Sequence, residues 1–241
     1  MREKVDVSVI LCAYNEGDII EKTLDEVNRV LMKTCWNYEI ILVDDGSSDD
    51  TKKKAIEYRD KKGIDYLKVI SYEKNLGKGN AIKIGFEHSK GDFIVVIDSD
   101  LDIDPNYIPH YVEALKGNDV AVSSKWHPES HVSMTPTRKF LSLGFNVLSK
   151  ILTGIKLRDT QTGLKAFRRS VLERMIPKLV TGRFAFDLEL LAACNHCGFK
   201  ITVLPVNVRI KNIIAPKEIL RMAFDLLRVA YKLKNKHYQL D

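Results

Sequence analysis

From Val7 to Ser123 the chain switches repeatedly between two hydrophobic periods, and few folds accommodate that. Runs rich in Val, Ile and Leu at 7–13, 38–43, 66–71, 93–97 and 120–123 read as strands. Segments 18–33, 51–62 and 77–89 between them read as helices, the first with Ile19, Ile20, Leu24, Val27, Val30 and Leu31 at helical spacing. Such alternation predicts an α/β fold: a mostly parallel central sheet with helices on both faces, Rossmann-like in layout. The 241 residues, 45% of them hydrophobic, suffice for one large domain, or one domain with an appendage.

After residue 124 the order breaks. Residues 125–136 are loop-like, with Pro128, Ser130, Ser133 and Pro136. Segment 137–153 is helical and unusually apolar. Strands are expected at 164–167 and 200–206, helices at 170–176 and 187–196, and a long helix from Pro216 onward.

The strand ends carry the chemistry. The first strand runs into Ala13-Tyr14-Asn15-Glu16, and the second into Asp44-Asp45-Gly46-Ser47-Ser48-Asp49. The fourth ends in Asp98, Asp100, Asp102 and Asp104, at every second position, before Pro105. In a parallel sheet all three clusters fall on one edge, where ligands bind. Crowded carboxylates repel one another unless a cation lies between them. One such cluster alone reads as a turn or helix cap; three on one edge point to a site. Asp45 could accept from a base N–H or a ribose hydroxyl. The segment Asn75-Leu76-Gly77-Lys78-Gly79 is not a phosphate-binding P-loop, because Gly79 stands where Ser or Thr is required. Lys78 still opens a helix, where it can meet a phosphate.

A net charge of +6 asks for an anionic partner: nucleotide phosphates, lipid headgroups or nucleic acid. The basic residues are spread without an aromatic-interleaved platform, which argues against nucleic acid. The cysteines form no disulfide framework; Cys194-Asn195-His196-Cys197 reads as ordinary helix cysteines, and free thiols fit a reducing cytoplasm. No apolar run has the pattern of a secretory leader or approaches about 18 residues.

Tyr14-Asn15-Glu16, Asp44-Asp45-Gly46-Ser47 and Asp98-Ser99-Asp100 occur in an order and spacing that resembles the inverting nucleotide-sugar glycosyltransferases of family 2, with the GT-A fold. Arg158-Asp159-Thr160-Gln161-Thr162-Gly163-Leu164-Lys165-Ala166-Phe167 is similar to a signature of polyprenyl-phosphate sugar synthases. So is Gly182-Arg183-Phe184-Ala185-Phe186-Asp187-Leu188-Glu189-Leu190-Leu191, and both look nearer the dolichyl-phosphate glucosyltransferase branch than the mannosyl branch.

This resemblance implies a divalent metal, Mg²⁺ or Mn²⁺, joining the donor diphosphate to Asp100, with Asp98 and Asp102 completing or supporting the site. It implies donor contacts from Ala13, Tyr14, Glu16, Asp45, Lys78, Asp98 and Ser99. The acceptor would be a polyprenyl or dolichyl monophosphate, met by Lys125, Arg138, Ser142 and Arg209. Asp100, Asp187 and Arg209 would serve the reaction itself, which inverts an α-linked donor to a β-linked product. Asp187 and Glu189 match the region that supplies a base in members acting on hydroxyls; as a cap, Asp187 would instead bond the first turn of its helix.

The implied layout is one GT-A domain over 1–215, with a nucleotide half to about residue 124 and an acceptor half beyond it, followed by a basic amphipathic helix over 216–241. Departures exist: the mannosyl branch has glutamine at Asp102, an arginine is common near Lys125, and the family's basic motif is only partly present around Arg209 and Lys211. A lysine cannot reproduce arginine's bidentate grip on phosphate. UDP-glucose is the leading donor; UDP-N-acetylglucosamine and GDP-mannose are the alternatives, as are a sugar-hydroxyl acceptor and a non-catalytic sugar-nucleotide-binding module.

Arg138 and Ser142, four apart, share a helix face. Phe140, Leu141, Gly144, Leu148, Ile151, Leu152 and Ile155 follow helical spacing, with Lys139, Lys150, Lys156 and Arg158 beside them. The last helix carries an apolar stripe at Ile219, Ala223, Leu226, Ala230 and Leu233 and basic residues at Lys217, Arg221, Arg228 and Lys232. Both suit a helix lying on a membrane surface, which places the chain as a peripheral protein at the cytoplasmic face. The competing reading is a helix packed on its own core with a solvated charged face.

Overall fold

A computed structural model describes residues 4–183, 185–209, 216–235 and 237–239, with side chains omitted for 216–220. The nucleotide half runs β1 (Val7–Ala13), α1 (Ile20–Leu31), β2 (Tyr38–Asp44), α2 (Thr51–Lys62), β3 (Leu67–Ser71), α3 (Lys78–Glu87), β4 (Phe93–Asp98), α4 (Ile108–Ala114) and β5 (Val120–Ser123). Beyond it come β6 (Val132–Ser133), α5 (Pro136–Thr153), β7 (Lys165–Arg168), α6 (Arg169–Met175), α7 (Phe186–His196), β8 (Ile201–Leu204), β9 (Val208–Arg209) and α8 (Pro216–Lys234). Helix α4 and the β6–β9 pair were not legible as elements in the sequence, the first because its seven residues hold too short a pattern.

Among the described residues the main sheet has seven strands in the order β3-β2-β1-β4-β7-β5-β8. All run parallel except β7, which is antiparallel to both of its neighbours. The central strands are apolar on both faces. Val9, Leu11, Ile40, Leu42, Val95 and Ile97 face α1, α2 and α4, while Ile10, Ile41, Val43, Ile94 and Val96 face α3, α6 and α7. Burial on both faces is what a parallel sheet between two helix layers requires.

From β1 the chain moves outward through β2 to β3, then returns so that β4 lies on the other side of β1. That reversal opens a crevice at the carboxyl ends of β1 and β4. The register puts Ala13 opposite Asp44 and Cys12 opposite Asp98. Strand β7 runs the other way, so the segment that leads into it, Asp159–Leu164, arrives at this same edge.

Helix α8 buries Met222, Leu226, Val229 and Leu233. This stripe differs from the expected one: Ala223 and Ala230 are only partly buried, and Lys217 and Ile219 fall where side chains are not described. Phe224, Leu227 and Tyr231 lie on the opposite side of the helix, at about 100° per residue, and are exposed. In α5 only Ser149 is buried, while Phe140, Leu143, Val147 and Ile151 form an exposed row. Helices α5 and α8 pack against each other. Among the described residues no helix is long and apolar enough to cross a membrane.

Candidate active site

The first two loops of the edge are stapled together. Asn15 adopts a left-handed φ of 57°. Its N–H donates to Ser47 Oγ at 2.8 Å, and Ser48 N–H donates back to Asn15 Oδ1 at 2.9 Å. Glu16 N–H donates to Thr51 Oγ1 at 2.8 Å and Gly17 N–H to Asp49 Oδ2 at 2.9 Å. Ala13 is buried and its carbonyl accepts from Asp45 N–H at 2.8 Å, whereas Tyr14 is exposed at the rim. The side chain of Glu16 is left facing the carboxylates beyond β4. Burial first, then Asp100 and Asp98, push its pKa up to about 7.

The four aspartates after β4 divide into separate jobs. Asp104 caps the 3₁₀ turn Pro105–Tyr107, accepting from Asn106 N–H at 2.8 Å, so for this residue the cap reading holds. Leu101 takes a φ of 55°, which folds the chain so that Asp102 N–H donates to Asp100 Oδ1 at 3.0 Å. Asp100 is pushed up to about 6, by burial and then by the charge of Asp98, against the opposing hydrogen bond from Asp102 N–H. Ser99, expected at the donor, instead turns inward: its hydroxyl donates to the Cys12 carbonyl at 2.8 Å. Its own carbonyl accepts from Thr23 Oγ1 at 2.7 Å.

Asp98 also departs from expectation. Its Oδ1 meets Lys78 Nζ at 2.5 Å, and a Cβ built on Gly163 would stand 2.1 Å from its Oδ2. Glycine is what lets the lead-in to β7 close over this carboxylate. Among the described residues no three His, Cys, Asp or Glu side chains converge as a metal site. Asp100 and Asp102 stand side by side beyond the end of β4 as oxygen donors. That suits a hard divalent cation, which takes one or two carboxylates and completes its shell with diphosphate and water.

Lys78 is held in a row of alternating charges that is partly exposed at Lys78 and Asp98 and buried at Asp187 and Lys165. Its ammonium touches Asp98 and lies 4.0 Å from Asp187, whose other oxygen is 2.9 Å from Lys165 Nζ. Burial pulls the Lys78 pKa down, but Asp98 and Asp187 outweigh it and hold the ammonium above the usual lysine value. Lys165 is buried and also donates to the Thr162 carbonyl at 2.8 Å. Asp187 is therefore a counter-ion to two lysines, where the sequence left a base or a cap. Glu189 is buried and fully engaged by Val180 N–H, Thr181 N–H and Oγ1, and Tyr238 OH, which removes it as a base.

Asp45 is likewise occupied. It accepts from Tyr72 OH and Leu76 N–H, both at 2.8 Å, and from Gly77 N–H at 2.9 Å. These bonds hold the loop at Asn75–Gly77.

On the far side of the sheet, Lys125 is buried against Asp159, with Nζ 3.0 Å from both carboxylate oxygens. Burial works against this carboxylate, yet Lys125 and a hydrogen bond from Thr162 hold Asp159 below the usual range. Lys125 is thus already paired inside the fold. Arg138 is the reverse case. It forms no salt bridge among the described residues, burial lowers its pKa, and its Nη1 is buried without a hydrogen-bond partner. Ser142 sits one turn on along α5, partly buried. Arg209 pairs through β9 with Ser133 of β6 and lines an open cleft with Asp102, Lys22 and Arg29. Lys211 lies outside the described residues.

The model of the family described as Glycosyl transferase family 2 matches residues 8–176. The chain belongs to that family. Human dolichyl-phosphate beta-glucosyltransferase is 33% identical over 98% of this chain and 78% of its own length. The Dictyostelium discoideum protein of the same name is 28% identical over 97% and 78%. Among solved structures, the Mycobacterium tuberculosis glucosyl-3-phosphoglycerate synthase with UDP superposes with a TM-score of 0.71 at 22% identity, covering 98% of this chain and 82% of that one. Its complex with Mn²⁺, UDP and glucosyl-3-phosphoglycerate has the same TM-score, at 21% identity and 95% and 80% coverage. These likenesses establish the GT-A fold.

Two residues of this glycosyltransferase escaped the sequence reading although a signal was present. Lys165 is a lone cation inside the apolar run Leu164–Phe167, and a buried lysine needs a partner. Trp126 carries a buried indole N–H without an acceptor. Its only signal was its place in a Pro- and Ser-rich loop.

Proposed function

We propose that this enzyme transfers a hexose, with UDP-glucose as leading donor, to a polyprenyl or dolichyl monophosphate at the cytoplasmic surface of a membrane, inverting the anomeric centre. One observation carries the reading. Arg138, a partly buried guanidinium without a counter-ion among the described residues, opens a helix whose outer face is apolar and exposed. A phosphate on a lipid chain supplies both missing partners. The names of the curated relatives support the same donor sugar and acceptor, and the metal and nucleotide named with the solved structures support a metal-bridged diphosphate.

In this reading Asp100 and Asp102 hold Mg²⁺ or Mn²⁺, which when bound neutralises charge on the departing nucleoside diphosphate. Ala13, Tyr14 and Glu16 flank the nucleoside, and Asp45 acts by fixing the Asn75–Gly77 loop. Lys78 keeps Asp98 in place beside the diphosphate. Arg138 and Ser142 receive the acceptor phosphate, with Arg209 across the cleft. The acceptor is already anionic near neutral pH and needs no base, which agrees with Asp187 lying between two lysines.

The test is transfer of label from UDP-glucose, UDP-N-acetylglucosamine or GDP-mannose to a short-chain polyprenyl phosphate with Mn²⁺. Label from one donor should enter the organic phase. Label found only on a soluble phosphorylated or hydroxyl acceptor would overturn the lipid assignment, and nucleotide binding without any transfer would favour a binding module.

The exposed row gives a second expectation. Phe140 and Ile151 are 77% and 73% exposed, and Phe224 and Tyr231 are 72% and 70% exposed. Burying each such side chain is worth about 1.5–3 kcal/mol. Phe140→Asp with Ile151→Asp should cut co-sedimentation with anionic vesicles by at least about tenfold. Transfer to a water-soluble short-chain acceptor should stay within about twofold. Equal vesicle binding by variant and wild type would mean that this face is not the membrane contact.

A further inference from the structure

The segment after α8 is clamped to the body of the protein at a point that leads to the donor loop. Tyr238 is fully buried, and its hydroxyl donates to Glu189 Oε1 at 2.6 Å. The Tyr238 carbonyl accepts from Cys197 Sγ at 2.9 Å, and the Gln239 carbonyl accepts from Lys178 Nζ at 2.6 Å. The carboxylate that holds Tyr238 also gathers Val180 N–H, Thr181 N–H and Thr181 Oγ1, at 2.6–3.0 Å. One buried glutamate thus ties the end of α8 to the strand-like stretch entering Gly182 and Arg183.

Those two residues lean on the donor loop. Arg183 Nη2 donates to the Asn75 carbonyl at 3.0 Å, and Nη1 to Asn75 Oδ1 at 3.2 Å. The Gly182 carbonyl accepts from Asn80 N–H at 3.1 Å. Gly77, at a φ of 96°, has no room for a Cβ: one would stand 2.5 Å from Arg183 Cγ. From the other side Asp45 holds Leu76 and Gly77. The loop is therefore gripped between Asp45 and the Gly182–Arg183 pair, and the second grip has its anchor at Glu189 and Tyr238.

We propose that Tyr238 and Glu189 are positioning residues for the nucleotide-sugar site, transmitting the docked state of α8 to the Asn75–Gly77 loop. The inference rests on the proposed donor site and goes beyond it, because neither residue touches that site. Without the Tyr238 hydroxyl, Glu189 keeps its backbone partners but loses the tail, and Gly182–Arg183 slackens against the loop.

The experiment is calorimetric binding of UDP with Mn²⁺, together with steady-state kinetics. Tyr238→Phe keeps the buried ring, and one hydrogen bond to a carboxylate is removed. It should weaken UDP and raise the donor KM by about three- to tenfold, with kcat and the acceptor KM within about twofold. Arg183→Met cuts the grip at its other end and should weaken UDP to a similar degree. The double variant should be no weaker than the worse single one, because both break the same linkage. Tyr238→Phe with a lowered Tm but wild-type UDP affinity would reduce the contact to a structural one, and additive losses in the double variant would break the link between the two ends. A wild-type protein that binds no UDP would overturn the donor-site reading itself, and this role with it.

Discussion

Asp100→Asn is expected to lose transfer by at least about a thousandfold and yet to melt higher than the wild type without metal. The two effects have one cause. Asp100 sits partly buried beside Asp98 and Asp102, and its pKa is pushed up to about 6. An unfolded aspartate titrates near 3.9. Below that pH both states carry the proton and nothing is gained or lost. Between the two values the folded state keeps a proton that the unfolded state has released, so stability falls as pH rises. Above about pH 6 the full cost is present. A shift of this size corresponds to about 3 kcal/mol, and partial solvation reduces it to about 1–2 kcal/mol. Asparagine cannot ionise and escapes the cost. The same residue is the best-placed oxygen donor for a cation, and losing a Lewis acid worth several kcal/mol in the transition state costs about tenfold per 1.4 kcal/mol. Thermal melts at pH 7.5 and pH 4, with and without Mn²⁺, check the sign. The variant's advantage should shrink at pH 4, and Mn²⁺ should stabilise only the wild type. An apo variant less stable than wild type at pH 7.5 would mean that the aspartate is already neutralised inside the fold.

Much of this arrangement could be read in the sequence because parallel strands give few options. Once 7–13, 38–43 and 93–97 are strands in alternation with helices, their ends share an edge and the carboxylate clusters must meet there. The direction of β7 could not be read: four residues, Lys165–Arg168, pair equally well either way on paper. Yet that reversal delivers Gly163 onto Asp98 and Lys165 onto Asp187. What the sequence did not show is that several of these side chains already have a partner inside the fold. Asp45 is claimed by backbone N–H groups, Glu189 by Thr181 and Tyr238, and Lys125 by Asp159. Motif spacing says which residues gather, but not which hydrogen bonds they have already made. The apolar faces were partly visible as well. The sequence showed amphipathic helices, but Phe224, Leu227 and Tyr231 opposite the buried stripe of α8 emerge only once Met222, Leu226 and Val229 are known to face the core.

Lys165→Met should be the most destabilising single change within the site. The lysine is 2% exposed at its side chain and its partner Asp187 is 8% exposed, so neither charge has water to fall back on. Removing one member of such a pair leaves the other uncompensated and costs about 3–5 kcal/mol. For a chain of this length that is a drop in Tm of about 10 °C. Methionine nearly matches the lysine stem in volume, so the loss is electrostatic and not a cavity. Among the described residues Asp187 would then have only Lys78 to turn to, now 4.0 Å away. Drawing Lys78 toward Asp187 pulls it from Asp98, so transfer should fall by about tenfold even well below the melting range. Adding Asp187→Asn removes the stranded charge and should recover more than half of the lost stability. It should not recover activity, because Lys78 would still lack the second carboxylate that centres it. Chemical denaturation of the two single variants and the double variant gives the coupling directly. If Lys165→Met melts within about 2 °C of the wild type, the row of charges does not hold the site together, and Lys78 is positioned by Asp98 alone.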